Sequence, residues 1–93
     1  MNARQIEVFR AIMRNGSLTA AAAALHVSQP ALSQVLLHTE DLLGFKLFQR
    51  KAGRLVPTPE AEALYPEAER LHNDLDGFRR FAADLRHGKA GLA

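Results

Sequence analysis

Apolar residues recur at helical steps through the first half of the chain, broken twice by short polar turns. Ile6, Phe9, Ile12 and Met13 share one face at spacings of three and four and predict a helix over residues 3–14. Arg4, Arg10 and Arg14 lie off that face. Asn15-Gly16 should end it, because both residues tolerate left-handed backbone angles. Ser17 is the expected cap of a second helix reaching about Leu25, whose five consecutive alanines favour helix and leave thin surfaces for close packing. His26-Val27 then forms a turn, and Ser28 caps a third helix that tolerates Pro30 in its first turn. That helix should run to Leu43 and stop at Gly44. Its buried stripe is Leu32, Leu36, Thr39 and Leu43, with Thr39 a polar flaw and with Leu37 and Leu42 apolar outside it.

Residues 45–58 change character. The runs FKLFQR and RLVPT read as two short strands around Lys51-Ala52-Gly53, a small hairpin that must pack on the helices because two strands alone are marginal. Thr58 then caps a last helix with Pro59 at its first position and acids in its first turn. Ala61, Leu64, Ala68, Leu71, Leu75, Phe78, Ala82 and Leu85 follow alternating steps of three and four, a heptad seam sustained over 25 positions. A helix carrying it is about 40 Å long, with Pro66 a candidate kink and Gly77 a weak point. The stripe exceeds what a 58-residue bundle needs, so pairing with a second copy is preferred over packing on the first helix. The tail HGKAGLA reads as a frayed end or hinge.

Ninety-three residues suit one domain, and a chain this short gains from a partner subunit. No apolar run approaches the roughly 20 residues that span a bilayer, no secretory signal is visible, and the lack of cysteine removes disulfides and thiolate metal sites. A cytoplasmic location follows as the expectation. Net charge is only +2, but its distribution is uneven. Residues 1–58 hold seven basic against three acidic side chains, and residues 59–93 hold five against seven. Lys46, Arg50, Lys51 and Arg54 fall within nine positions with no acid among them, a segment suited to a polyanion.

These features combine into a helix-turn-helix with a polar third helix, the geometry that places side chains in a DNA major groove. Ala22 allows the second and third helices to cross closely, and Leu25, Val27, Leu32 and Val35/Leu36 supply the wedge between them. Gln29, Ser33, Gln34 and His38 form the outer face. Gln29 suits bidentate bonding to an adenine edge, or alternatively a capping or phosphate role. Gln34 and Pro30 are further candidate base contacts. Thr19, Ser28, Ser33, His38, Arg50 and Lys51 are candidate backbone contacts, Ser28 mainly as a cap, and Arg54 is the candidate for minor-groove insertion. Leu37 is open to two readings, a contact to a thymine methyl or packing against a neighbouring element. The histidines are too scattered for a metal site, no nucleophile has a base at suitable spacing, and no phosphate-binding glycine loop occurs. Neither catalysis nor a cofactor is expected. The rival readings are a helical protein-interaction adaptor and, more weakly, a fragment of a nucleic-acid enzyme.

In this order of elements the chain resembles the LysR-type transcriptional regulators of bacteria. The resemblance rests on Gly16-Ser17-Leu18-Thr19-Ala20-Ala21, on His26-Val27-Ser28-Gln29-Pro30-Ala31-Leu32-Ser33, and on Leu43-Gly44 with Leu47-Phe48-Gln49-Arg50, and it extends from about Asn2 to about Leu85. It implies a mainly α fold: a winged helix-turn-helix, that is a three-helix bundle plus a hairpin wing, over residues 1–58. A linker helix for dimerisation follows over residues 59–88, with a hinge or disordered tail at 89–93. The implied partners are double-stranded DNA and a second copy of the chain. Leu64, Ala68, Leu71, Leu75, Phe78, Ala82 and Leu85 would form the dimer seam on a near-palindromic site. The resemblance also implies an effector-binding domain beyond the linker, through which alone a small molecule would act, and allows a tetramer in a full-length protein. The chain departs from the family pattern at Gln34, where arginine is common, at Leu37, where a polar or basic residue is usual, at Thr39 for leucine, and at Ala61-Glu62 for Ala-Gly.

Overall fold

The computed structural model describes residues 1–88. Three helices, α1 (Ala3–Asn15), α2 (Leu18–Leu25) and α3 (Gln29–Leu43), are followed by strands β1 (Phe48–Lys51) and β2 (Arg54–Pro57) and by a long helix α4 (Pro59–Arg86). The expected tail or hinge at 89–93 lies outside the described residues.

Each helix starts where its sequence supplies a cap. Asn2 and Gln5 form a reciprocal capping box, with both side-chain-to-backbone bonds at 2.8 Å. The hydroxyls of Ser17, Ser28 and Thr58 accept from Ala20, Ala31 and Ala61 at the starts of α2, α3 and α4. Gly16 and Gly44 close α1 and α3 in the left-handed conformation, donating to the carbonyls of Ile12 and Glu40.

The core gathers Val8, Phe9 and Ile12 from α1, Ala21 and Ala22 from α2, Leu32 and Leu36 from α3, Leu47 and Phe48 from the start of the hairpin, and Ala61 and Ala68 from α4. Phe9 is its centre, meeting Phe48 at 6.1 Å and the edge of Tyr65 at 6.2 Å between ring centroids. The buried face of α1 differs from the expected one. Gln5, Val8 and Arg10 turn inward, while Ile6 and Met13 are only half-buried. Arg10 lies there because α4 presents a carboxylate to it. Its Nε donates to Glu69 Oε1 at 2.8 Å and its Nη2 to Oε2 at 3.4 Å. The Thr39 flaw is also resolved locally, since its hydroxyl donates to the Val35 carbonyl one turn back at 2.7 Å.

The hairpin is shorter and tighter than the sequence suggested. Residues 45–47 are not strand, Lys51 belongs to β1, and only Ala52 and Gly53 form the turn, both at positive φ (51° and 75°). That is the two-residue hairpin geometry whose twist matches the flanking strands. The α4 helix is continuous through Pro66.

Candidate nucleic-acid interface

The candidate reading surface is the outward side of α3. Leu32, Leu36 and Thr39 are buried, so the opposite stripe of Pro30, Gln34, Leu37 and Asp41, at steps of four, three and four, stands farthest into solvent. His38 is exposed beside it, and Gln29 lies at the exposed first turn. Ser33 sits closer to the bundle than expected and is half-buried, with the Gln29 amide Nε2 3.5 Å from its hydroxyl. Ser28 serves α3 as its cap while staying exposed, and Thr19 is exposed in the first turn of α2.

The second part of the surface is the wing. In its antiparallel register Arg50 faces Leu55 and Lys51 faces Arg54. Arg50, Lys51 and Arg54 are all exposed, and among the described residues none has an acidic partner within salt-bridge distance. Like charges directly opposite one another weaken a hairpin. The tip therefore concentrates positive charge at some expense of its own stability.

Two buried groups hold the wing and α4 in place: Glu40, which the sequence reading missed, and Thr58, expected only as the cap of α4. Glu40 on α3 accepts the backbone N–H of Leu47 at 2.6 Å and of Phe48 at 3.3 Å, hanging the start of the hairpin from the third helix. Thr58 caps α4 and also donates to the Lys46 carbonyl at 2.7 Å, and its own N–H bonds Leu47 O. Thr58 stood at a predicted helix start, whereas nothing in the spacing around Glu40 marked it as a buried acceptor. On α4, the Arg10 guanidinium holds the Glu69 carboxyl below the usual carboxylate range, and burial together with that carboxylate pushes the Tyr65 phenol up.

The heptad seam divides in two. Ala61 and Ala68 are buried in the chain's own core and Leu64 packs against it, which corrects the expectation that Leu64 and Ala68 serve a seam between copies. Small alanines there let α4 lie close on the bundle. Leu71, Leu75, Phe78, Ala82 and Leu85 remain exposed, and Phe81, outside the expected seam, is exposed as well. Among the described residues no cluster of three metal-capable side chains occurs, and no helix is long and apolar enough to cross a membrane.

A family model described as the bacterial regulatory helix-turn-helix protein, lysR family, matches residues 3–62. The chain belongs to this family. It carries the helix-turn-helix of a LysR-type transcriptional regulator, and its relatives are named as regulators rather than enzymes. It is 47% identical over 91 residues to the HTH-type transcriptional regulator DgcR of a Pseudoalteromonas species, covering 98% of this chain and 31% of that protein. It is 44% identical over 91 residues to the transcriptional activator protein LysR of Escherichia coli K12, covering 98% and 29%. The chain thus spans less than a third of the curated LysR-type relatives described here. Among solved structures, the BenM DNA-binding domain in complex with catB site 1 DNA superposes with a TM-score of 0.87 at 29% identity, covering 92% of this chain and 97% of that one. CbnR, a LysR family transcriptional regulator, gives 0.83 at 28% identity, covering 90% and 29%.

Proposed function

We propose that this chain binds duplex DNA sequence-specifically as a homodimer, with α3 of each copy in the major groove of one half of a near-palindromic site. The observation that carries the reading is the pairing of an exposed, mostly uncharged α3 stripe with a wing whose three cations lack acidic partners. Gln29, Pro30 and Gln34 meet base edges. Thr19, Ser28, Ser33, His38, Arg50 and Lys51 meet the sugar–phosphate backbone, and Arg54 enters the minor groove. Similarity to a DNA-binding domain complexed with DNA supports this assignment. Residues 1–58 act as the reading body and 59–88 as the linker, with Leu71, Leu75, Phe78, Ala82 and Leu85 in the contact between copies. Such a regulator works in the cytoplasm, beside the chromosome. An effector domain and tetramer formation belong to a longer protein of this type.

A gel-shift titration at two salt concentrations, on sites selected from random DNA, tests the reading. Binding should weaken steeply as salt rises, and Arg50→Ala should lower the salt slope by about one while weakening all sequences similarly. Absent or salt-insensitive binding would favour a protein-interaction adaptor instead.

A further inference from the structure

We propose that Leu37 is a specificity-determining residue that reads the C5-methyl group of a thymine in the major groove, an assignment that rests on the DNA-binding reading above. Leu37 is 54% exposed and is neither in the core nor among the apolar side chains packed against it. Burial in the chain's own core therefore does not explain it. It lies in the same stripe as Pro30 and Gln34, seven and three positions on. Eight residues separate it from Gln29, about 12 Å along the axis, which is the width of the groove. The span from Gln29 to Leu37 therefore fits within that groove, and Asp41, one turn further, puts a negative charge where phosphates would be repelled.

A leucine offers no donor or acceptor to a base edge or a phosphate. The thymine methyl is the apolar feature that the major groove presents, and it marks one of the four base-pair orientations. Leu37 is the one large apolar side chain in the exposed stripe of Pro30, Gln34, Leu37 and Asp41. Leu71, Leu75, Phe78, Phe81 and Leu85 are on α4, and Leu42 emerges from a different side of α3. A lone apolar residue between polar ones suits a single methyl group better than a protein surface.

The test uses the 93-residue chain and its selected DNA site, with each thymine replaced in turn by deoxyuridine, which removes only the methyl. At one thymine per half-site the replacement should weaken wild-type binding about fourfold, the worth of one buried CH2. Leu37→Ala, a substitution at an exposed position, should retain the wild-type circular dichroism and bind the thymine and deoxyuridine sites equally. Wild-type binding indifferent to deoxyuridine at every position overturns the assignment but leaves the DNA reading standing. So does a Leu37→Ala variant that keeps the full deoxyuridine effect. If the wild-type chain shows no salt-sensitive DNA binding, both fall together.

Discussion

Ala52 holds a left-handed backbone with φ of 51° at the wing tip, where its Cβ crowds the following carbonyl. Asparagine tolerates that conformation and is favoured before glycine in this type of turn. Ala52→Asn should therefore stabilise the chain by about 1 kcal/mol, read as a raised midpoint of urea unfolding with an unchanged slope. An unchanged midpoint would mean that the wing opens independently of the body. At this scale the caps were legible, because Ser17, Ser28 and Thr58 each act on an N–H three residues ahead. Thr39 was legible only as an anomaly, although its partner Val35 is a single turn away. Glu40 was not legible as a buried acceptor. Its donors at Leu47 and Phe48 lie seven and eight residues on, across a segment without periodicity.

Between elements, the contact most open to experiment is the one that fixes α4 on α1. Arg10 and Glu69 share a charge-assisted pair that is largely shielded from solvent, with Arg14 3.9 Å from the same carboxylate. Because the folded Glu69 carboxyl is more acidic than the unfolded one, its contribution is present above the ordinary carboxylate value and is lost as pH falls through the folded value. Glu69→Gln should cost about 1–2 kcal/mol at neutral pH, and the gap to the wild type should close under acid. Urea unfolding of both proteins from pH 7 downward measures this, and a gap independent of pH would refute the ionic account. The period of α4 was plain in the sequence, since steps of three and four persist for 25 positions. A period states which residues share a face, not what that face meets. Ala61 and Ala68 are buried in their own bundle, which the spacing alone does not encode. For the same reason the spacing placed Arg10 only off the apolar face of α1 and gave it no partner, since Glu69 lies 59 residues away.

The whole molecule is elongated, 59 × 26 × 20 Å, because much of α4 projects past the bundle. Leu71, Leu75, Phe78, Phe81 and Leu85 are 38–70% exposed on it, an apolar face that a lone chain leaves in water. Phe78→Asp should leave the fold intact, since Phe78 is 70% exposed, yet yield monomers in sedimentation. Its binding to a palindromic site should fall about a hundredfold, because joining two half-site contacts multiplies affinity by that order. A dimer that persists in this variant would place the contact elsewhere. The order of three short helices, hairpin and long last helix was legible at this scale because each has its own sequence texture; the share of α4 packed on the bundle was not. The wing also gives the molecule an unusual relation to its medium. Lys51 and Arg54 repel each other across the hairpin whenever nothing anionic lies between them. Dissolved ions quiet that quarrel in the unbound chain while thinning its attraction to any polyanion, so a saltier medium steadies the wing as it loosens the proposed grip.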